Sequence, residues 1–148
     1  MVLDFGGVLD GYCVDLTRMA AVGRVGSGAE QLYQAVRAAQ DAALQAVRPG
    51  ARGSEVDRAA RQELESRGLG AAFLHGTGHG LGLDVHEAPR LARSETGATD
   101  VLEAGMVCTV EPGAYVVGLG GVRLEDDVLV TTGGSELLTE APRDLLVV

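Results

Sequence analysis

His75-Gly76-Thr77-Gly78-His79-Gly80-Leu81-Gly82-Leu83-Asp84-Val85-His86-Glu87 contains all three histidines of the chain within twelve residues, interleaved with four alternating glycines. Histidines at this spacing suggest two ligands on one helical face, yet each glycine would cost a helix about 1 kcal/mol. Extended chain is the better reading. It places His75, Thr77, His79 and Leu81 on one face and the glycines on the other, where a second backbone or a ligand can come close. Such a cluster marks a site rather than a core.

The flanking sequence reads as strands, two helices and more strands. Residues 2–5 and 12–22 are predicted strands joined by a turn over 6–11. Ser27-Gly28-Ala29-Glu30 has the form of a capping box, and Leu32, Val36, Ala39, Ala43 and Val47 continue at helical spacing until Pro49-Gly50. Ser54 is the expected cap of a second helix over 55–67, stopped by Gly68. An acidic loop is expected over 92–105, followed by strands near 106–111, 114–117, 121–131 and 144–148. This order lacks regular strand–helix alternation and predicts an α+β domain with a largely antiparallel sheet.

The 148 residues suit one domain with a core of its own. A formal net charge of −9 excludes nucleic acid and anionic membrane surfaces as natural partners. No run approaches the ~18 apolar residues of a membrane span, and the start lacks the form of a signal peptide, so a cytoplasmic location is expected. Cys13 and Cys108 sit in apolar runs without metal-ligand spacing and read as small packing residues. Tyr12 and Tyr115 read as packing residues too.

Acidic residues fall where strands are expected. Asp4 and Asp15 lie eleven residues apart across the opening hairpin, a separation that brings both to one end of a sheet face. Glu111 closes a strand where Pro112 removes a ladder donor. Glu125 lies inside another strand, in which Arg123, Glu125 and Asp127 share one face and Val122, Leu124 and Val128 fill the other. Unpaired carboxylates there are costly unless a cation compensates them. Four carboxylates match the charge of two divalent cations, and oxygen donors with one imidazole suit Mn²⁺, Co²⁺ or Zn²⁺.

Asp4, Asp15-Leu16-Thr17-Arg18, the histidine segment, Thr109-Val110-Glu111-Pro112-Gly113 and Gly121-Val122-Arg123-Leu124-Glu125-Asp126-Asp127 together resemble the pita-bread metallopeptidases, in the family's order. The resemblance implies a pita-bread α+β fold and a dinuclear centre bound by Asp4, Asp15, His79, Glu111 and Glu125. Asp15 and Glu125 would bridge, Asp4 would chelate one ion, and His79 and Glu111 would hold the other. The Glu-Pro-Gly and Val-Arg-Leu-Glu-Asp-Asp forms resemble aminopeptidase P and prolidase more than methionine aminopeptidase. The implied substrate is a peptide with proline second, cleaved at its Xaa-Pro bond, with Mn²⁺ as the expected metal.

In that scheme Glu111 is the proton shuttle. His75 and His86 donate hydrogen bonds to substrate and to the developing oxyanion; the alternative is that they are structural imidazoles bonded to backbone carbonyls. Arg123 either contacts the C-terminal side of the peptide or neutralises the acidic cluster around Glu125. Family members place a helix and strands ahead of the segment matching Val2-Leu3-Asp4. The expectation is therefore a partial catalytic domain over 1–148, with an unpaired strand edge open to homo-oligomer formation. A second reading is a peptide- or metal-binding fragment that keeps the ligands and lacks turnover.

Overall fold

The computed structural model describes residues 1–94 and 100–148. Among these residues ten strands and two α-helices follow one another as β1 (Val2–Leu9), β2 (Tyr12–Ala21), α1 (Ser27–Ala46), α2 (Gly53–Ser66), β3 (Gly78–Gly80), β4 (Glu87–Leu91), β5 (Val107–Val110), β6 (Gly113–Val116), β7 (Gly120–Arg123), β8 (Asp126–Thr131), β9 (Gly134–Leu137) and β10 (Leu146–Val147). A single turn of 3₁₀ helix at Gly70–Ala72 follows α2. The strands form a three-stranded sheet β1-β2-β10, a five-stranded sheet β4-β3-β5-β8-β9 and the ribbon β6-β7. Among the described residues only the β10–β2 pair is parallel, so the α+β, largely antiparallel expectation is met.

The opening hairpin is longer and its turn tighter than expected. Strand β1 runs to Leu9, and Asp10 (φ 51°) with Gly11 (φ 88°) makes the whole connection. Two consecutive positive φ values match the twist of the flanking strands, which is why Asp-Gly suits this position. The register pairs Asp4 with Thr17 and Gly6 with Asp15. Asp4 and Asp15 are therefore diagonal neighbours on one face, as their separation suggested. β1 is the edge of its sheet, and Val2, Phe5 and Val8 are exposed along it.

Both helices form where apolar spacing placed them, with different caps. Gly26 rather than Ser27 is the N-cap of α1, and no side chain caps it. Arg52 is the N-cap of α2; the Glu55 carboxylate accepts its backbone N–H at 3.2 Å, so Ser54 is already helical. Leu32, Val36, Ala39 and Ala43 of α1 pack with Val56, Ala60 and Leu64 of α2 in one core with Leu91, Cys108, Val110, Val128 and Val130 of the five-stranded sheet. Burial there pushes the Cys108 thiol up to about 12, which keeps it a neutral packing group. Cys13 is half-buried on β2.

The segment expected as one strand over 121–131 is divided. β7 pairs with β6, β8 pairs with β5, and the chain changes sheets at Leu124-Glu125. An isolated antiparallel bridge between Thr17 and Glu125 ties this crossing to β2. Leu124 fills the core while Glu125 turns to the opposite side, as alternation requires. β4 and β9 are additional to the expected elements, and β10 is shorter than 144–148. The expected loop 92–105 contains residues 95–99, which lie outside the described residues; its Val101 bridges Arg52.

Candidate metal centre

Glycine brings the histidine segment against its neighbours. A Cβ on Gly78 would lie 2.0 Å from the Thr109 carbonyl oxygen, and one on Gly80 would lie 2.0 Å from that of Ala88. The second-backbone reading of these glycines is thus met. Regular strand covers only Gly78–Gly80, with a register shift after His79, so the strict alternation expected from 75 to 81 is interrupted. His79 is fixed from its backbone: its N–H donates to Thr109 Oγ1 at 3.1 Å, and its Nδ1 lies 3.0 Å from the Gly80 carbonyl.

Asp15 from β2, His79 from β3 and Glu125 from the β7–β8 crossing each present a donor atom, all within 4.8 Å of one another. The Glu111 carboxylate, just beyond β5, approaches His79 Nε2 at 3.2 Å. Asp4 stands further out on β1 and pairs with the Arg123 guanidinium. Arg123 Nε also donates to Thr17 Oγ1 at 3.1 Å and lies 4.0 Å from both Glu111 and Glu125. Its partners are thus the carboxylates around the site, whereas Asp126 pairs with Arg18.

Glu125 is 2 % exposed and its Oε2 accepts the Thr17 hydroxyl at 2.5 Å. Burial, then the charge of Glu111, raises its carboxyl to about 8. Burial first and Asp4 second raise Asp15. Burial raises Asp127 to about 6; its Oδ2 accepts the Asp15 N–H at 3.2 Å, while buried Oδ1 finds no partner among the described residues. For His79, burial lowers proton affinity, but the Glu111 bond, the Gly80 carbonyl and the charges of Glu111 and Glu125 outweigh it and the ring is raised. Acids crowded out of water in this way fit a bound cation, and an imidazole among oxygen donors fits a borderline divalent ion.

These shifts set the pH response of metal-stripped protein. Because Glu125 is raised from 4.5 to about 8, folding retains a proton that the unfolded chain releases. Its contribution is present in full below the unfolded value and is lost as pH rises through the folded one. The urea midpoint in chelator should therefore fall between roughly pH 5 and pH 8, and Glu125→Gln should flatten the slope. A midpoint rising over that range would contradict the assignment.

The other two histidines flank the donors. His86 lies in the loop after β3, its ring centroid 4.4 Å from that of His79 in an edge-on arrangement. His75 Nδ1 is 2.8 Å from the Gly76 carbonyl and its Nε2 is 3.0 Å from the Tyr115 hydroxyl. Tyr115 thus belongs to the site's surroundings, which its sequence context did not reveal. Arg18 was missed as well. Its guanidinium donates to the Glu125 carbonyl at 2.6 Å and to Asp126, and so fixes the backbone that carries Glu125. The Leu-Thr-Arg run after Asp15 was the available signal for it. A cavity of about 640 Å³ opens beside His79 and His86 and is also lined by Arg90 and Asp100.

The sequence description "Metallopeptidase family M24" matches residues 1–132. The Xaa-Pro dipeptidase of Pyrococcus furiosus is 41 % identical over 146 residues, covering 99 % of this chain and 41 % of the relative. The structure of an Xaa-Pro dipeptidase from Bacillus anthracis superposes with a TM-score of 0.94 at 44 % identity, covering 99 % of this chain and 41 % of that one. A dipeptidase from Pyrococcus horikoshii gives the same TM-score and identity, with 40 % of its chain covered. The chain therefore spans about 40 % of the length of the curated relatives it matches. With its histidine segment, its strand-borne carboxylates and this likeness over nearly all its length, the chain belongs to metallopeptidase family M24 and has the α+β pita-bread fold.

Proposed function

We propose that residues 1–148 carry the metal-binding part of the catalytic domain of a dinuclear peptidase that hydrolyses Xaa-Pro bonds. The observation that carries this reading is the convergence of Asp15, His79 and Glu125 within 4.8 Å, with Glu111 3.2 Å from His79. Asp15 and Glu125 would be shared between the two ions, Asp4 would hold one of them, and His79 and Glu111 would hold the other. Two divalent ions, Mn²⁺ in this proposal, supply Lewis acidity toward water and the scissile carbonyl. Glu111 accepts the proton of the attacking water and passes it to the leaving nitrogen. His86 and His75 donate hydrogen bonds to the substrate and to the oxyanion. The partners of Arg123 favour charge compensation over contact with the peptide. The exposed apolar side chains on edge strand β1 support association with a second copy.

The relatives named as Xaa-Pro dipeptidases support proline in the second position of the substrate. A second reading is a metal- or peptide-binding fragment that keeps the ligands and lacks turnover. Hydrolysis of an Ala-Pro dipeptide and of a longer Xaa-Pro peptide, measured with added Mn²⁺, separates the two. Turnover that is abolished by chelation and restored by Mn²⁺ or Co²⁺ is expected. Two bound ions with no cleavage of either peptide would select the second reading, and preference for an N-terminal methionine would move the protein to another branch of the family.

A further inference from the structure

Helix α2 holds a charged pair that the proposed chemistry does not use. Asp57 is 1 % exposed and Arg61 9 %, one helical turn apart and facing inward. Arg61 Nε donates to Asp57 Oδ2 at 2.6 Å and Nη2 donates to Oδ1 at 3.2 Å. The same guanidinium donates to the carbonyls of Phe73, at 3.1 Å, and His75, and lies over the Phe73 ring. Asp57 Oδ1 in turn accepts both the backbone N–H and the hydroxyl of Thr77, at 3.1 and 2.9 Å. The Thr77 carbonyl accepts the Glu111 N–H at 2.7 Å. One helix thus grips the chain at residues 73, 75 and 77. Two histidines flank the last of these, and the backbone of Glu111 hangs from it.

A buried ion pair is a weak source of stability, because removing both charges from water offsets much of their attraction. Its strength is directional: the planar guanidinium fork fixes a carboxylate and two carbonyls at set angles, which an apolar pair cannot do. We propose that Asp57 and Arg61, acting through Thr77, are positioning residues that set the placement of His75, His79 and Glu111. This inference rests on the site assignment above for its meaning in catalysis. The positioning itself is measurable in chelator-treated protein, apart from any turnover.

Thr77→Val keeps the volume of the side chain and removes the hydroxyl; Thr77→Ser keeps the hydroxyl; Arg61→Lys keeps the charge and removes the fork. The ring nitrogens of the three histidines are followed by NMR in chelator-treated protein, with thermal unfolding as the control for folding. Co²⁺ alone is then titrated and its visible absorption recorded. Thr77→Val and Arg61→Lys are expected to shift the His75 and His79 ring signals and to raise the Co²⁺ half-saturation about tenfold or more, as loss of support behind a metal ligand does. Thr77→Ser is expected to match the wild type in both. Folded Thr77→Val with wild-type ring spectra overturns the proposal, as does Thr77→Ser impaired equally with Thr77→Val. Should Thr77→Val fail to fold, Arg61→Lys decides by the same ring spectra. Absence of a Co²⁺ band in the wild type would remove the metal assignment alone, and the ring signals would still decide the positioning.

Discussion

Glu125→Gln should lose both divalent ions together and, with them, at least about 10³-fold in turnover, since Lewis-acid stabilisation is worth several kcal/mol and each 1.4 kcal/mol is tenfold. The reason lies in its position. Glu125 sits at the crossing between two sheets, buried, with Asp15 and His79 donors around it. A neutral amide offers one weakly donating oxygen where a bridging carboxylate offers two, so neither ion retains its full set. The Thr17 hydroxyl bonded to Glu125 can still donate to the amide oxygen, which makes gross unfolding an unneeded explanation for the loss. Elemental analysis after desalting is the measurement. Two tightly held ions per chain in this variant would refute the bridging role.

His86→Ala should lower kcat by roughly 10²-fold with metal content unchanged, the usual cost of removing a hydrogen-bond donor aimed at transition-state charge. Its ring stands edge-on to that of His79 and borders the cavity, close to the donors without being one of the converging set. Parallel metal analysis and steady-state kinetics separate the roles. Unchanged kcat would make His86 structural, and loss of metal would make it a ligand.

The site was legible in the sequence to the extent that its chemistry demands particular residue types at the ends of strands. Asp15, His79, Glu111 and Glu125 could be singled out because an acid in a strand, or a histidine among glycines, is expensive without a purpose. The helices were legible because Leu32, Val36, Ala39 and Ala43 repeat at helical spacing. What escaped depends on partners far along the chain. Arg18 reads as an ordinary strand arginine until residues 125 and 126 are beside it. Asp57 and Arg61, four apart on a helix, look like a solvent-facing ion pair, and only the packing of the 73–77 segment turns them inward. The sheet change at Glu125 was hidden because Val122, Leu124, Val128 and Val130 keep one apolar face as a single strand would, and only Asp126 on that face hints at the exchange of partners from β6 to β5. The Asp10-Gly11 turn was readable, but Gly6 and Gly7 drew the loop four residues too early.

The hairpin that carries Asp4 and Asp15 joins the rest of the site through the Thr17–Glu125 bridge and hydroxyl bond, the Asp15 amide on Asp127, the Cys13 amide on Gly82, the Arg18 guanidinium and the Arg123 contacts with Asp4 and Thr17. Two of the five proposed metal ligands therefore ride on a ribbon whose outer strand is the edge of its sheet. In the proposed assignment, ions shared between the ribbon and the five-stranded sheet would act as a clasp across this seam, and mass action would make the clasp tighten the fold as it fills. The affinity measured in solution would then include the work of ordering the ribbon against the sheet.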